Sequence, residues 1–202
     1  MKTGRFTPLQ YSIIAAVLAS AAPWCVLAQE AQQHTLTAQA HPLTAAQGAL
    51  LNVVREATQR FQDVSIAEAE GYALQFGCVS GPDSGAMGLH FVNMALVAST
   101  SSGASALDAR RPQIVIYEPT PSGHLRLTGA DFLVLADGWN KAHAGSPPEL
   151  MGQLFHYFET PNRFGLPAFY TLHVWAWKDN PNGAFVNWHP NVSCTAFAGQ
   201  AP

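Results

Sequence analysis

The sequence predicts an α+β domain in which a curved, mostly antiparallel sheet packs with an N-terminal amphipathic helix. Three observations lead there. Residues 44–64 show helical apolar spacing behind a capping signal. The runs 86–97, 112–118 and 167–178 are mostly apolar and strand-like and are separated by turn-forming stretches. The runs 113–118, 131–136 and 167–178 are apolar on both faces, as central strands covered on each side are.

Thr44 opens the helix. Its hydroxyl and the Gln47 side chain form a capping box, each satisfying a backbone amide of the first turn. Leu50, Val53, Val54, Ala57 and Phe61 then line one face, with Arg55, Glu56 and Gln59 on the other. A second helical piece is expected over 66–73. Gly81-Pro82-Asp83-Ser84-Gly85 is a turn, and 86–97 reads as a strand with His90 opposite Leu89 and Phe91. Residues 98–111 read as a surface loop. The turn at 119–123 should return 125–136 antiparallel to 112–118. A Gly- and Pro-bearing loop at 137–149 is long enough to act as a lid, and 150–158 fits a short helix or a strand equally well. In the last strand, 167–178, Thr171, His173, Trp175 and Trp177 share a face.

The N-terminus reads as a secretory signal over 1–28. Lys2 and Arg5 precede an apolar stretch at 11–22, and small residues close it near Ala28. That stretch is shorter than the roughly 20 residues of a membrane-spanning helix, so no transmembrane segment is expected in the mature chain. Residues 29–43 read as a flexible arm carrying His34 and His41, and 44–202 as one globular domain. The expected destination is secreted or periplasmic. Losing Lys2 and Arg5 moves the net charge from −3 to −5, which leaves no basic patch for nucleic acid. With Cys25 removed, Cys78 and Cys194 remain, and an oxidising compartment favours a disulfide between them. It closes a long loop, worth about 4–5 kcal/mol in the chain-entropy model.

Three polar side chains lie inside apolar runs, where each needs a partner: His90, Glu118 and His173. Two imidazoles and a carboxylate can supply three ligands to Zn²⁺, Fe²⁺, Mn²⁺ or Cu²⁺ and leave positions open. His156 is a candidate fourth ligand or general base. Phe91, Tyr117, Trp175 and Trp177 are candidate walls of an aromatic pocket for a small apolar molecule. His124 and His143 are expected in solvent and His189 in a structural role. No nucleophile elbow, phosphate-binding glycine loop or haem-attachment motif occurs. Asn191-Val192-Ser193 matches a glycosylation sequon.

The blocks GAMGLHFVN at 85–93, QIVIYEP at 113–119 and LHVWAWKDNPNGAFVNWHPNVSC at 172–194 resemble a group of exported, mainly bacterial proteins of uncharacterised activity. The resemblance covers most of the mature chain and implies export and the domain extent, with no reaction attached. Where those proteins carry Trp-Asn-Pro, this chain has Trp188-His189-Pro190.

The functional expectation is an exported metal-binding protein with a His/Glu site in an apolar pocket, an enzyme on a small molecule in one version. The alternatives are a metal-free module for an apolar ligand, with His90, Glu118 and His173 as scaffolding, metal-free acid–base chemistry, and a structural envelope protein. A homodimer is a further expectation, since a curled sheet with two apolar faces can find its second layer in another copy.

Overall fold

The Thr44 capping box forms as expected: its hydroxyl accepts from the Gln47 amide at 3.2 Å, and the Gln47 carboxamide oxygen accepts from the Thr44 amide at 3.0 Å. The computed structural model describes residues 42–199, so the signal and most of the arm, with His34 and His41, lie outside the described residues. Helix α1 runs Ala45–Thr58 and passes through a 3-10 turn, Gln59–Gln62, into α2, Val64–Ala69. This second helix stops short of the expected residue 73. Gly71 takes φ 91°, which ends the helix and lets the chain turn into a strand that sequence reading missed.

That strand is β1, Ala73–Gly81. It is followed by β2 (Gly85–Val92), β3 (Ile114–Pro119), β4 (Leu125–Leu135), the short β5 (Glu149–Leu150), β6 (Gln153–Leu154) and β7 (His156–Phe158), and β8 (Phe169–Val174). Six of them form one antiparallel sheet in the order β1-β2-β3-β4-β8-β7, curled into a half-barrel, while β5 and β6 pair as a separate hairpin. The expected strand over 86–97 ends at Val92, because the Asn93 side chain accepts the Leu96 amide and starts α3, Met94–Ser101. The expected lid at 137–149 begins with α4, Ala136–Ala142.

One sheet face carries Ala130, Phe132, Leu172 and Val174, clustered with Leu50, Leu51 and Val54; beside them Leu89, Phe91, Val115 and Tyr117 cluster with Phe61 and Tyr72. The other face carries Ile114, Ile116, Leu133 and Phe169, clustered with Trp175 and Val192. The second layer that the two-faced strands demand therefore comes from this chain's own 158–166 and 175–194 stretches. Cys78 and Cys194 are disulfide-bonded across a separation of 116 residues, pinning that C-terminal stretch to β1. Among the described residues, no helix is long and apolar enough to cross a membrane.

Candidate metal centre

Four strands build the site through their register. His90 on β2 lies opposite Ile116 of β3, and Asp131 on β4 lies between Ile114 of β3 and His173 of β8. Cα partners in an antiparallel pair share a face, so His90, Asp131 and His173 converge on the sheet face covered by 158–166. All three are buried, and one ligand atom from each lies within 4.8 Å of the others. The cluster can hold a metal ion.

The hydrogen bonding of the two rings is incomplete. His90 Nδ1 lies 3.2 Å from the Gly88 carbonyl, and its Nε2 lies 3.4 Å from His173 Nε2. Gly88 lets β2 lie close against β3 here: it takes φ 96°, and a Cβ there would meet the Tyr117 carbonyl oxygen at 2.5 Å. Among the described residues His173 Nδ1 has no hydrogen-bond partner, and Asp131 Oδ1 lies 3.6 Å from it, beyond hydrogen-bond reach. Asp131 Oδ1 is held by the Thr171 hydroxyl, which donates to it at 2.5 Å. Burial pushes His90 down to about 4 and His173 to about 3, so both are neutral at neutral pH, and it pushes Asp131 up to about 6.

With Asp131 ionised, no tautomer of two neutral rings pairs every ring nitrogen with a partner of opposite kind. A neutral imidazole has one N–H and one lone pair. If each Nδ1 carries the proton, toward Gly88 and Asp131, the two Nε2 lone pairs face each other. If His173 instead donates from Nε2, its Nδ1 lone pair faces the Asp131 carboxylate. If His90 donates from Nε2, its Nδ1 lone pair faces the Gly88 carbonyl. Each choice opposes two electron pairs in a buried site, and a cation between the rings resolves the first of them. Two nitrogens about 2.1 Å from a tetrahedral ion lie about 3.4 Å apart, which is the spacing of the Nε2 atoms. In that tautomer the His90 ring turns its second nitrogen to the Gly88 carbonyl, the usual outer support of a metal-bound histidine.

The structure brings His90 and His173 together and supplies Asp131 where Glu118 was expected. Glu118 is buried but spent elsewhere: the Lys178 ammonium donates to both of its oxygens at 3.0 and 2.8 Å, Arg126 pairs with it, and the Ser193 amide donates at 3.1 Å. His156, the candidate base, is exposed on β7, with Nδ1 at 3.1 Å from the Asn187 carboxamide oxygen, and stands outside the cluster. The candidate pocket walls also move. Phe91 and Tyr117 belong to the opposite sheet face, and the Tyr117 hydroxyl donates to the Phe61 carbonyl. Trp175 and Trp177 leave the expected shared face because β8 ends at Val174. Trp175 packs beside His173 and donates to the Val186 carbonyl, whereas Trp177 donates to the Thr58 hydroxyl. His124 is exposed as expected. His143, expected in solvent, is half-buried and stacks on Trp139 at 3.6 Å. His189 is fully buried and accepts the Asn191 amide.

Beside the three polar residues lies a cavity of about 30 Å³. Ile114, Leu133 and Phe169 form its inner wall, and half-buried Phe76, Phe158 and Phe164 its outer one. The missed ligand had a signal: Asp131 is a lone carboxylate in the apolar run GADFLVL, and the 119–123 turn places it opposite β3. Comparison with protein-family models, curated proteins and solved structures finds no match to this chain.

Proposed function

We propose that this protein binds a divalent transition-metal ion through His90, Asp131 and His173 and offers the ion's remaining positions to a small molecule. The observation that carries this reading is the pair of Nε2 atoms 3.4 Å apart, next to a buried carboxylate with no lysine or arginine on it. Two imidazoles and one carboxylate suit zinc, iron(II), manganese(II) or copper(II). A bound ion of this class supplies Lewis acidity and, for iron or copper, one-electron chemistry. The chain's own part is to hold the ligands: Gly88 fixes the His90 ring and Thr171 fixes the Asp131 carboxylate. The disulfide fits an oxidising, extracytoplasmic setting, and we infer an exported protein, secreted or periplasmic.

Metal content by mass spectrometry on untagged protein, purified without chelator, tests the reading. About one ion per chain is expected, and none in His173→Ala with its fold and disulfide intact. Equal metal in the variant refutes the ligand assignment. A second reading, a metal-free polar cluster, is favoured by the same spacing, since 3.4 Å also admits one N–H···N hydrogen bond. It predicts no uptake on adding zinc, iron(II) or copper(II).

A further inference from the structure

Apart from the three candidate ligands, the one polar side chain lining the cavity is Thr171, and its hydroxyl is already committed to Asp131. Among the described residues no amine, guanidinium or free amide side chain lines the space, so a carboxylate or phosphate group entering it would leave water without gaining a partner from them. The volume of about 30 Å³ is room for one or two water-sized groups, far below the several hundred cubic ångströms of a typical metabolite pocket.

The way in is apolar and firmly built. Asn162 ties its loop to itself: its amide group donates to the Glu159 and Leu166 carbonyls at 3.1 and 2.8 Å, and its oxygen accepts the Phe164 and Leu166 amides at 3.2 Å each. Arg163 donates to the Ser80 carbonyl at 3.0 Å and anchors the loop to β1. From across the opening Phe76 meets Phe164, ring centroids 5.5 Å apart. Phe76 reaches there from a β1 bulge in which it takes φ 65°, a conformation uncommon for so bulky a residue. Local backbone cost is thus accepted to set an aromatic ring at the mouth.

Resting on the metal reading above, we propose that the site's ligand is a small neutral molecule of about two or three heavy atoms, such as dioxygen, admitted past Phe76 and Phe164, and that oxyanions are excluded.

The test uses the full chain reconstituted anaerobically with iron(II), nitric oxide as the neutral probe, and phosphate and acetate as oxyanion probes. Wild type is expected to give an iron–nitrosyl EPR signal stoichiometric with its iron, unchanged by either oxyanion. Phe164→Ala, which widens the mouth without touching a ligand, should take up nitric oxide several-fold faster. Protein that retains iron yet gives no nitrosyl signal, or whose signal phosphate or acetate suppresses, overturns the proposal while leaving the metal site standing. An unchanged uptake rate in folded Phe164→Ala overturns the entry route. Failure to retain any metal removes the metal reading and this proposal with it.

Discussion

Glu118 and Asp131 are both buried carboxylates on one sheet face, carried by adjacent strands, yet their surroundings differ in kind. Glu118 meets Lys178, Arg126 and the Ser193 amide. Burial alone would push its carboxyl up, but the hydrogen bonds from Lys178 and Arg126 outweigh that and hold it below its ordinary value of 4.5. Asp131 meets the Thr171 hydroxyl, the Leu172 and Phe132 backbone amides and two histidine rings, and burial outweighs them and pushes it up to about 6. A carboxylate paired with protein cations is finished as a structural element, and it ties the C-terminal stretch to β3. Asp131 has no lysine or arginine against it among the described residues, which leaves it free to serve as a metal ligand. The buried acid to suspect of function is therefore the one whose neighbours leave its charge unanswered.

The comparison breaks most sharply on metal affinity. Asp131→Ala is expected to weaken metal binding by at least about 100-fold and Glu118→Ala to leave it unchanged, as read by competition with a chromogenic chelator. Equal losses would erase the distinction between the two acids. On stability the order reverses. Glu118→Ala strands Lys178 and should cost about 2–3 kcal/mol in urea unfolding of the chelated protein near neutral pH. That cost should shrink with acid. Because the folded pKa is depressed, the stabilisation is present above 4.5 and is lost as pH falls through the lower folded value. A cost that grows on acidification would contradict the pairing. A smaller effect is expected at Thr171→Val, which frees the Asp131 carboxylate to rotate: about tenfold weaker metal binding, with a loss of about 1 kcal/mol in unfolding. The smallest concerns metal-free protein. There Asp131→Asn removes an unanswered buried charge and should raise stability by about 1 kcal/mol at pH 7, with a loss of similar size pointing instead to a structural Asp131.

Much of the sheet was legible because period-two patterning and turn chemistry are local. The 112–118 and 125–136 hairpin, the Thr44 cap and the cysteine pair all follow from neighbours in sequence or from simple counting. Strand β1 was missed because Gln75-Phe76-Gly77 breaks its alternation at a bulge, and α3 because Asn93 caps a helix inside an apolar run. Trp175 and Trp177 were misplaced because alternation was extended beyond the last sheet pairing at Val174.

The sequence by itself determined that His90, Glu118 and His173 would each be a polar group inside an apolar strand, and Asp131, which was passed over, carries the same signal. Only the tertiary structure decided which acid stands with the histidines. Parity fixes a face, whereas position along the strand depends on pairing between segments far apart in the chain, here β4 with β8 and β2 with β3. Asp131 pairs directly with His173, while Glu118 sits two residues beyond Ile116 toward the turn, where Lys178 and Ser193 of the C-terminal stretch come to meet it. Long-range register is set by the sum of many weak contacts across the sheet, and no local pattern carries it.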